Sequence, residues 1–281
     1  MKKLLMIVLC VALCVSVFAL TACGGVGLAG YSNKVDLDEI SEMLLDAVEE
    51  YGYDDSDTFE QSYTCESYSK SVEVSKTEYD SGVITESTST KINTEEKKFD
   101  SVNEVATSLS KRSEEYKHAT SKSSSSSESK SWYQQDGNDV AYSYEPLTKM
   151  YREYEDDEIL DHVSSASIYN NIYNEIDDIL SNAYYADEDE DFEFYVDGDV
   201  FTVVMVEEYE YDGYERVTES TYQLIFSDNK AEIKAIETTT ITNEYDDCTV
   251  TTTRTMEGRM TLNFTNVTLA KEDLSKYNKY E

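Results

Sequence analysis

A series of acid–glycine steps between long alternating runs constrains this 281-residue chain more than any other feature. They are Asp80-Ser81-Gly82, Asp136-Gly137, Asp197-Gly198, Asp212-Gly213 and Glu257-Gly258. Asp and Gly tolerate the positive φ that tight primed turns demand, so each step between extended runs marks a hairpin. Ser227-Asp228-Asn229-Lys230 and Glu244-Tyr245-Asp246-Asp247 supply further turns. The intervening runs alternate with the period-two pattern of half-buried strands, as in Val72/Val74, Phe201/Val203/Met205 and Leu224/Phe226. Only one proline, Pro146, is present, so little interrupts long ladders. These features predict an antiparallel meander of long strands.

Two stretches break the alternation. Asp36 and Glu39 have capping-box spacing, and Leu37, Ile40, Leu44, Ala47, Val48 and Tyr51 then recur at helical intervals up to Gly52. From Asp157 to Ala186, Ile159, Val163, Ile168, Ile172, Ile176, Ile179, Leu180 and Ala183 do the same. The order helix, meander, helix, meander predicts one α+β domain over 36–281. It can be read as two helix-plus-meander pseudo-repeats, 36–150 and 157–270, merged into one sheet.

The N-terminus reads as an export signal. Lys2 and Lys3 precede an apolar run from Leu4 to Leu20, and Leu20-Thr21-Ala22-Cys23 follows, then Gly24 and Gly25. This resembles the lipobox of bacterial lipoproteins. The resemblance implies cleavage after Ala22, a diacylglyceryl thioether on Cys23, and anchoring at the extracytoplasmic face of the cell membrane. Residues 1–22 are then a signal peptide and 23–35, rich in Gly and small residues, a flexible tether. The formal net charge is −36, and loss of Lys2 and Lys3 makes it two units more negative. Such a charge repels nucleic acid and anionic headgroups, so the membrane partner is reached through lipid and nucleic acid is excluded as a partner. Cys10 and Cys14 leave with the signal. Cys65 and Cys248 remain, either as a disulfide, worth about 4–5 kcal/mol for so long a loop, or as two unpaired thiols.

Lipobox, tether, amphipathic helix, meander with aromatic-Asp-Gly hairpins and inserted helix together resemble the LolA/LppX/LprG-type lipoproteins. That resemblance implies a curved half-barrel sheet with two helices on its concave face and room for acyl chains between them. Leu44, Val48, Ile172 and Ile176 would contact such a chain. The implied function is non-enzymatic binding of a lipid or other apolar ligand. The alternative is a cell-surface interaction or adhesion module using a Tyr-rich sheet face, with Tyr142, Tyr144, Tyr151, Tyr154, Tyr209 and Tyr211 as candidates.

Catalytic and cofactor signatures do not emerge. The only histidines, His118 and His162, have no Cys or His at ligand spacing. No Gly-rich phosphate loop or G-x-S-x-G elbow occurs. Asp187, Asp189 and Asp191 alternate like a calcium loop, but the sixth-position glycine is missing and Gly198 stands where the closing Glu belongs. That run and Glu153–Glu158 read as solvated connections, and Lys122–Lys130 as low-complexity serine, either a flexible loop or an exposed strand end. The expectation is no metal, no cofactor and no enzyme activity.

Overall fold

The computed structural model describes residues 27–50, 62–135, 140–155, 178–184 and 190–280. Its described part is dominated by strand. β1 is Lys34–Val35 and α1 is Leu37–Glu50. A first meander comes next: β2 (Tyr63–Tyr79), β3 (Ile84–Asp100), β4 (Val105–His118), β5 (Ser121–Gln135), β6 (Val140–Glu145) and β7 (Met150–Glu155). A second contains β8 (Glu190–Asp197), β9 (Val200–Tyr211), β10 (Tyr214–Ser227), β11 (Lys230–Glu244) and β12 (Cys248–Phe264). A 3₁₀ turn, Leu274–Lys276, precedes β13 (Asn278–Lys279).

All these strands join one thirteen-stranded sheet in the order β1-β8-β9-β10-β11-β12-β2-β3-β4-β5-β6-β7-β13. The two meanders meet where β12 pairs antiparallel with β2 along seventeen residues, from Cys248↔Tyr79 to Phe264↔Tyr63. The expected α+β half-barrel is thereby corrected to a mostly-β fold with an open sheet. Strand takes up most of the described residues, seven of the strands being 14–17 residues long, and helix is confined there to α1 and the segment 178–184.

Turn chemistry accounts for the hairpins. Asp212 and Gly213 both have positive φ, 35° and 82°, as a primed turn between β9 and β10 requires. Gly82 and Gly198 take the same sign at their turns. Glu257-Gly258 does not turn. Gly258 sits inside β12 between Ala235 and Ser69, which overturns the hairpin expected there.

Cross-strand register assigns the faces, since paired residues share a face and neighbours alternate. The inner face carries Tyr63, Cys65, Phe99, Ala106, Phe194, Val196, Phe201, Val203, Leu224, Phe226, Ala231 and Leu262, all buried in one cluster. α1 lies on this face through Ile40, Leu44 and Ala47, and 178–184 adds Ile179, Leu180 and Ala183. Asp36 caps α1 by accepting a hydrogen bond from Glu39 N at 2.9 Å.

Two chain segments cross the outer face. Near the N-terminus the Gln223 side chain accepts from Ala29 N at 2.7 Å and donates to Ala29 O at 2.8 Å. Asp197 receives Ser32 N, and β1 then pairs with β8, so the stretch read as tether is hydrogen-bonded to the sheet from Ala29 onward. Near the C-terminus Gln134 makes the same pair with Glu272 N and O, at 2.8 and 3.1 Å. Asp100 receives Leu269 N at 2.8 Å, and β13 adds to β7 in parallel.

Cys65 and Cys248 are free thiols. They lie on adjacent strands, but Cys248 faces Tyr79, fourteen residues along β2 from Cys65. At about 3.3 Å per residue that is about 46 Å, far beyond disulfide reach.

Candidate functional site

Traced along the strands, the inner face changes character. On β12 it runs Phe264, Leu262, Met260, Gly258, Met256, Arg254; on β2, Tyr63, Cys65, Ser67, Ser69, Ser71, Glu73. On β10 it runs Phe226, Leu224, Tyr222, Ser220, Thr218, and on β11 Ala231, Ile233, Ala235, Glu237. The first positions belong to or pack against the core under the helical segments, and the last ones, Arg254, Glu73, Thr218 and Glu237, are polar.

A trough of about 480 Å³ lies at this boundary. Its floor is small: Gly258 flanked by Ala235 and Ser69, with Ser71 beside them. A Cβ built on Gly258 would meet only the Ala235 Cβ, at 4.0 Å. A glycine inside a strand often marks close approach by a ligand or another backbone. Tyr222 and Met256 form the apolar wall, and Asn93, Lys91, Arg254, Glu73 and Glu237 the polar one. Lys70 and Glu257 also border it, although alternation turns their side chains to the outer face.

The polar wall is held by local contacts. Asn93 Nδ2 donates to Ser69 Oγ at 3.3 Å, and Arg254 Nε donates to Ser71 Oγ at 3.3 Å. Lys91 lies 3.4 Å from Glu114, and Glu237 accepts from Thr239 Oγ1 at 3.5 Å. Beside the trough, cross-strand from Glu237, Ser220 Oγ is buried with no hydrogen-bond partner among the described residues. A buried hydroxyl left unpaired costs about 1–3 kcal/mol.

Of the residues expected to hold an apolar ligand, Leu44 is fully buried in the core, 0% exposed, and does not line the trough. The Val48 side chain, Ile172 and Ile176 lie outside the described residues, as do Cys23 and His162. His118 is exposed at the end of β4. The tyrosine candidates divide. Tyr142, Tyr144 and Tyr151 share the outer face, where Tyr144 is buried edge-on against Tyr277, and Tyr154 alternates to the inner face. Tyr209 and Tyr211 stand exposed at the far end of β9.

The thiols are chemically quiet. Burial pushes Cys65 up to about 11, and burial with Asp247 nearby raises Cys248. Among the described residues, no group of three His, Cys, Asp or Glu side chains is placed to hold a metal, and no helix is long and apolar enough to cross a membrane.

Sequence alone does not single out Gly258, because Glu-Gly resembles a turn. The serines of β2 carry no chemistry until β12 is placed beside them.

No family model matches the chain, and no curated protein matches it. Similar solved structures include a lipovitellin structure concerned with lipid–protein interactions, 9% identical with a TM-score of 0.28 over 76% of this chain; the chain spans 26% of that protein's length. The outer membrane protease OmpT from Escherichia coli is 7% identical, TM-score 0.25, over 75% of this chain and 100% of its own. A FadL homologue from Pseudomonas aeruginosa is 6% identical, TM-score 0.15, over 73% of this chain and 90% of its own. At these scores none of them marks a shared fold.

Proposed function

We propose that this chain is a lipid-anchored, extracytoplasmic, non-enzymatic binding protein whose ligand is an amphiphile held in the inner-face trough. The observation that carries the reading is the position of the trough on the polarity boundary of one sheet face: Tyr222, Ala235 and Gly258 form its row nearest the core, level with Ser69 and Asn93, and Met256, Ser71 and Lys91 belong to the next row out. An apolar chain laid along the first row loses water at about 0.8 kcal/mol per methylene. A polar head beside it finds hydroxyls, an amide and both signs of charge. This differs from an acyl chain sandwiched between helix and sheet, because the described part of that space is filled by Leu44 and its neighbours.

Anchoring rests on the Leu20-Thr21-Ala22-Cys23 motif. Two acyl chains hold a protein stably at a bilayer where one does not. Cys23→Ser should move the protein out of the membrane fraction or leave it unprocessed, and normal processing with full membrane retention would contradict anchoring. For the ligand, organic extraction of the purified chain and mass spectrometry of the extract should recover a stoichiometric amphiphile. An extract without one, from protein that also takes up no added lipid, would end the binding proposal.

A further inference from the structure

At the far end of the sheet from the core, three hairpin tips stand side by side. They join β9 to β10, β11 to β12 and β2 to β3. Glu244 N donates to Gly213 O at 2.8 Å and Asp80 N to Asp247 O at 3.0 Å, so adjacent tips are stitched to each other. Six strands at about 4.8 Å spacing make a rim about 24 Å wide. Exposed large apolar side chains gather on the rim: Tyr79, Val83, Ile84, Tyr209, Tyr211 and Tyr245 range from 40% exposed for Tyr79 to 69% for Tyr211. Large exposed apolar side chains gathered at one end mark an interaction surface more than scattered ones do.

Charge selects the occupant. Segments 78–86, 207–215 and 243–249 hold eleven carboxylates and no Lys or Arg. Tyr rings interleaved with carboxylates attract cations twice, through the ring face and through the ion pair. The same charge repels anionic lipid headgroups and a second copy of this rim.

We infer that the hairpin-tip rim is a docking surface for a basic protein segment that presents Arg or Lys beside apolar residues. The rim at Tyr214 lies nine residues along β10, about 30 Å, from Gln223, where the N-terminal segment is held. A chain tethered by its N-terminus therefore offers the rim to partners away from the tether. This site is independent of the trough, so either can fail alone.

The test uses the full chain in neutral detergent and a fluorescent nonapeptide of six Arg and three Tyr, with anisotropy as the readout. Replacing Ile84, Tyr211 and Tyr245 by Ser leaves the charge unchanged and should weaken binding about ten-fold. Val83→Ser with Tyr245→Ser, both in turns, gives the same reading if the triple variant unfolds. Neutralising Glu42, Asp46 and Glu66, away from the rim, should change binding little. The inference is overturned if the Ser variants bind like wild type, if distant neutralisation weakens binding equally, or if the rim instead proves to hold a second copy, seen as a wild-type dimer that the Ser variants split.

Discussion

Gln223 and Gln134 each replace a missing strand residue with a side-chain amide. A side-chain amide offers N–H donors and a carbonyl acceptor at about the spacing of a peptide group, so each glutamine pairs with both backbone polar groups of a single crossing residue, Ala29 or Glu272. Truncation to Ala removes both bonds and strands the partners over a buried surface, costing about 1–3 kcal/mol at each site. Gln223 is fully buried and also donates to Thr202 Oγ1, so Gln223→Ala should cost more than Gln134→Ala in urea unfolding. Equal, negligible losses would mean that the crossings are held by something else.

Asp100 adds a pH dependence at the same scale. Burial pushes its carboxyl up, but hydrogen bonds from Leu269 N, the Asn103 side chain, Asn103 N and Val102 N outweigh that and hold it below its ordinary value. A depressed folded value means that the unfolded chain binds its proton first as pH falls. The contribution is therefore complete above the ordinary carboxylate range, near pH 4, and lost as pH drops through the folded value. Because Leu269 belongs to the C-terminal crossing, acid should loosen residues 265–280 early, and Asp100→Asn should flatten this part of the profile. An unchanged acid limb in the variant would assign the effect to other carboxylates.

At the scale of elements, β2 and β12 decide most of the architecture. Their pairing closes the two meanders into one sheet and places Cys65 and Cys248 at opposite ends of one ladder. Ellman's reagent on native protein should therefore reach half-buried Cys248 slowly and buried Cys65 only on unfolding, with no oxidation-dependent mobility shift. A shift lost on reduction would require a different register. Strands such as β9 and β10 are legible from alternation and from Asp212-Gly213, and α1 from Asp36 and its Ile40–Leu44–Ala47 stripe, whereas β5 is not, because its serine-rich run carries no alternation. What local pattern does not carry is which strand lies beside which, because β12 and β2 meet across nearly two hundred residues. The trough needs that neighbour relation, so Gly258, Ser69 and Ser71 have no meaning until the ladder is known. Strand length also sets the fold class: alternation shows that a strand exists, but not that it continues for seventeen residues and outweighs the helices.

For the whole molecule, one sheet face grades from a helix-covered apolar end to a polar end, and the trough marks the crossover. Gly258 is the point at which this can be tested without disturbing the core. Its backbone is extended, since no positive φ holds it, and an added side chain would project over Ala235 into the trough. Gly258→Val suits a strand and fills the site. The decisive measurement is titration of a soluble fragment, 27–281, with a fluorescent fatty acid, wild type against Gly258→Val. A ten-carbon chain offers about 8 kcal/mol of burial at most, enough for micromolar binding. Saturable uptake by wild type and at least about ten-fold weaker uptake by a stably folded Gly258→Val chain is the expected result. Equal uptake by the two proteins, or none by wild type, would contradict an amphiphile in the trough.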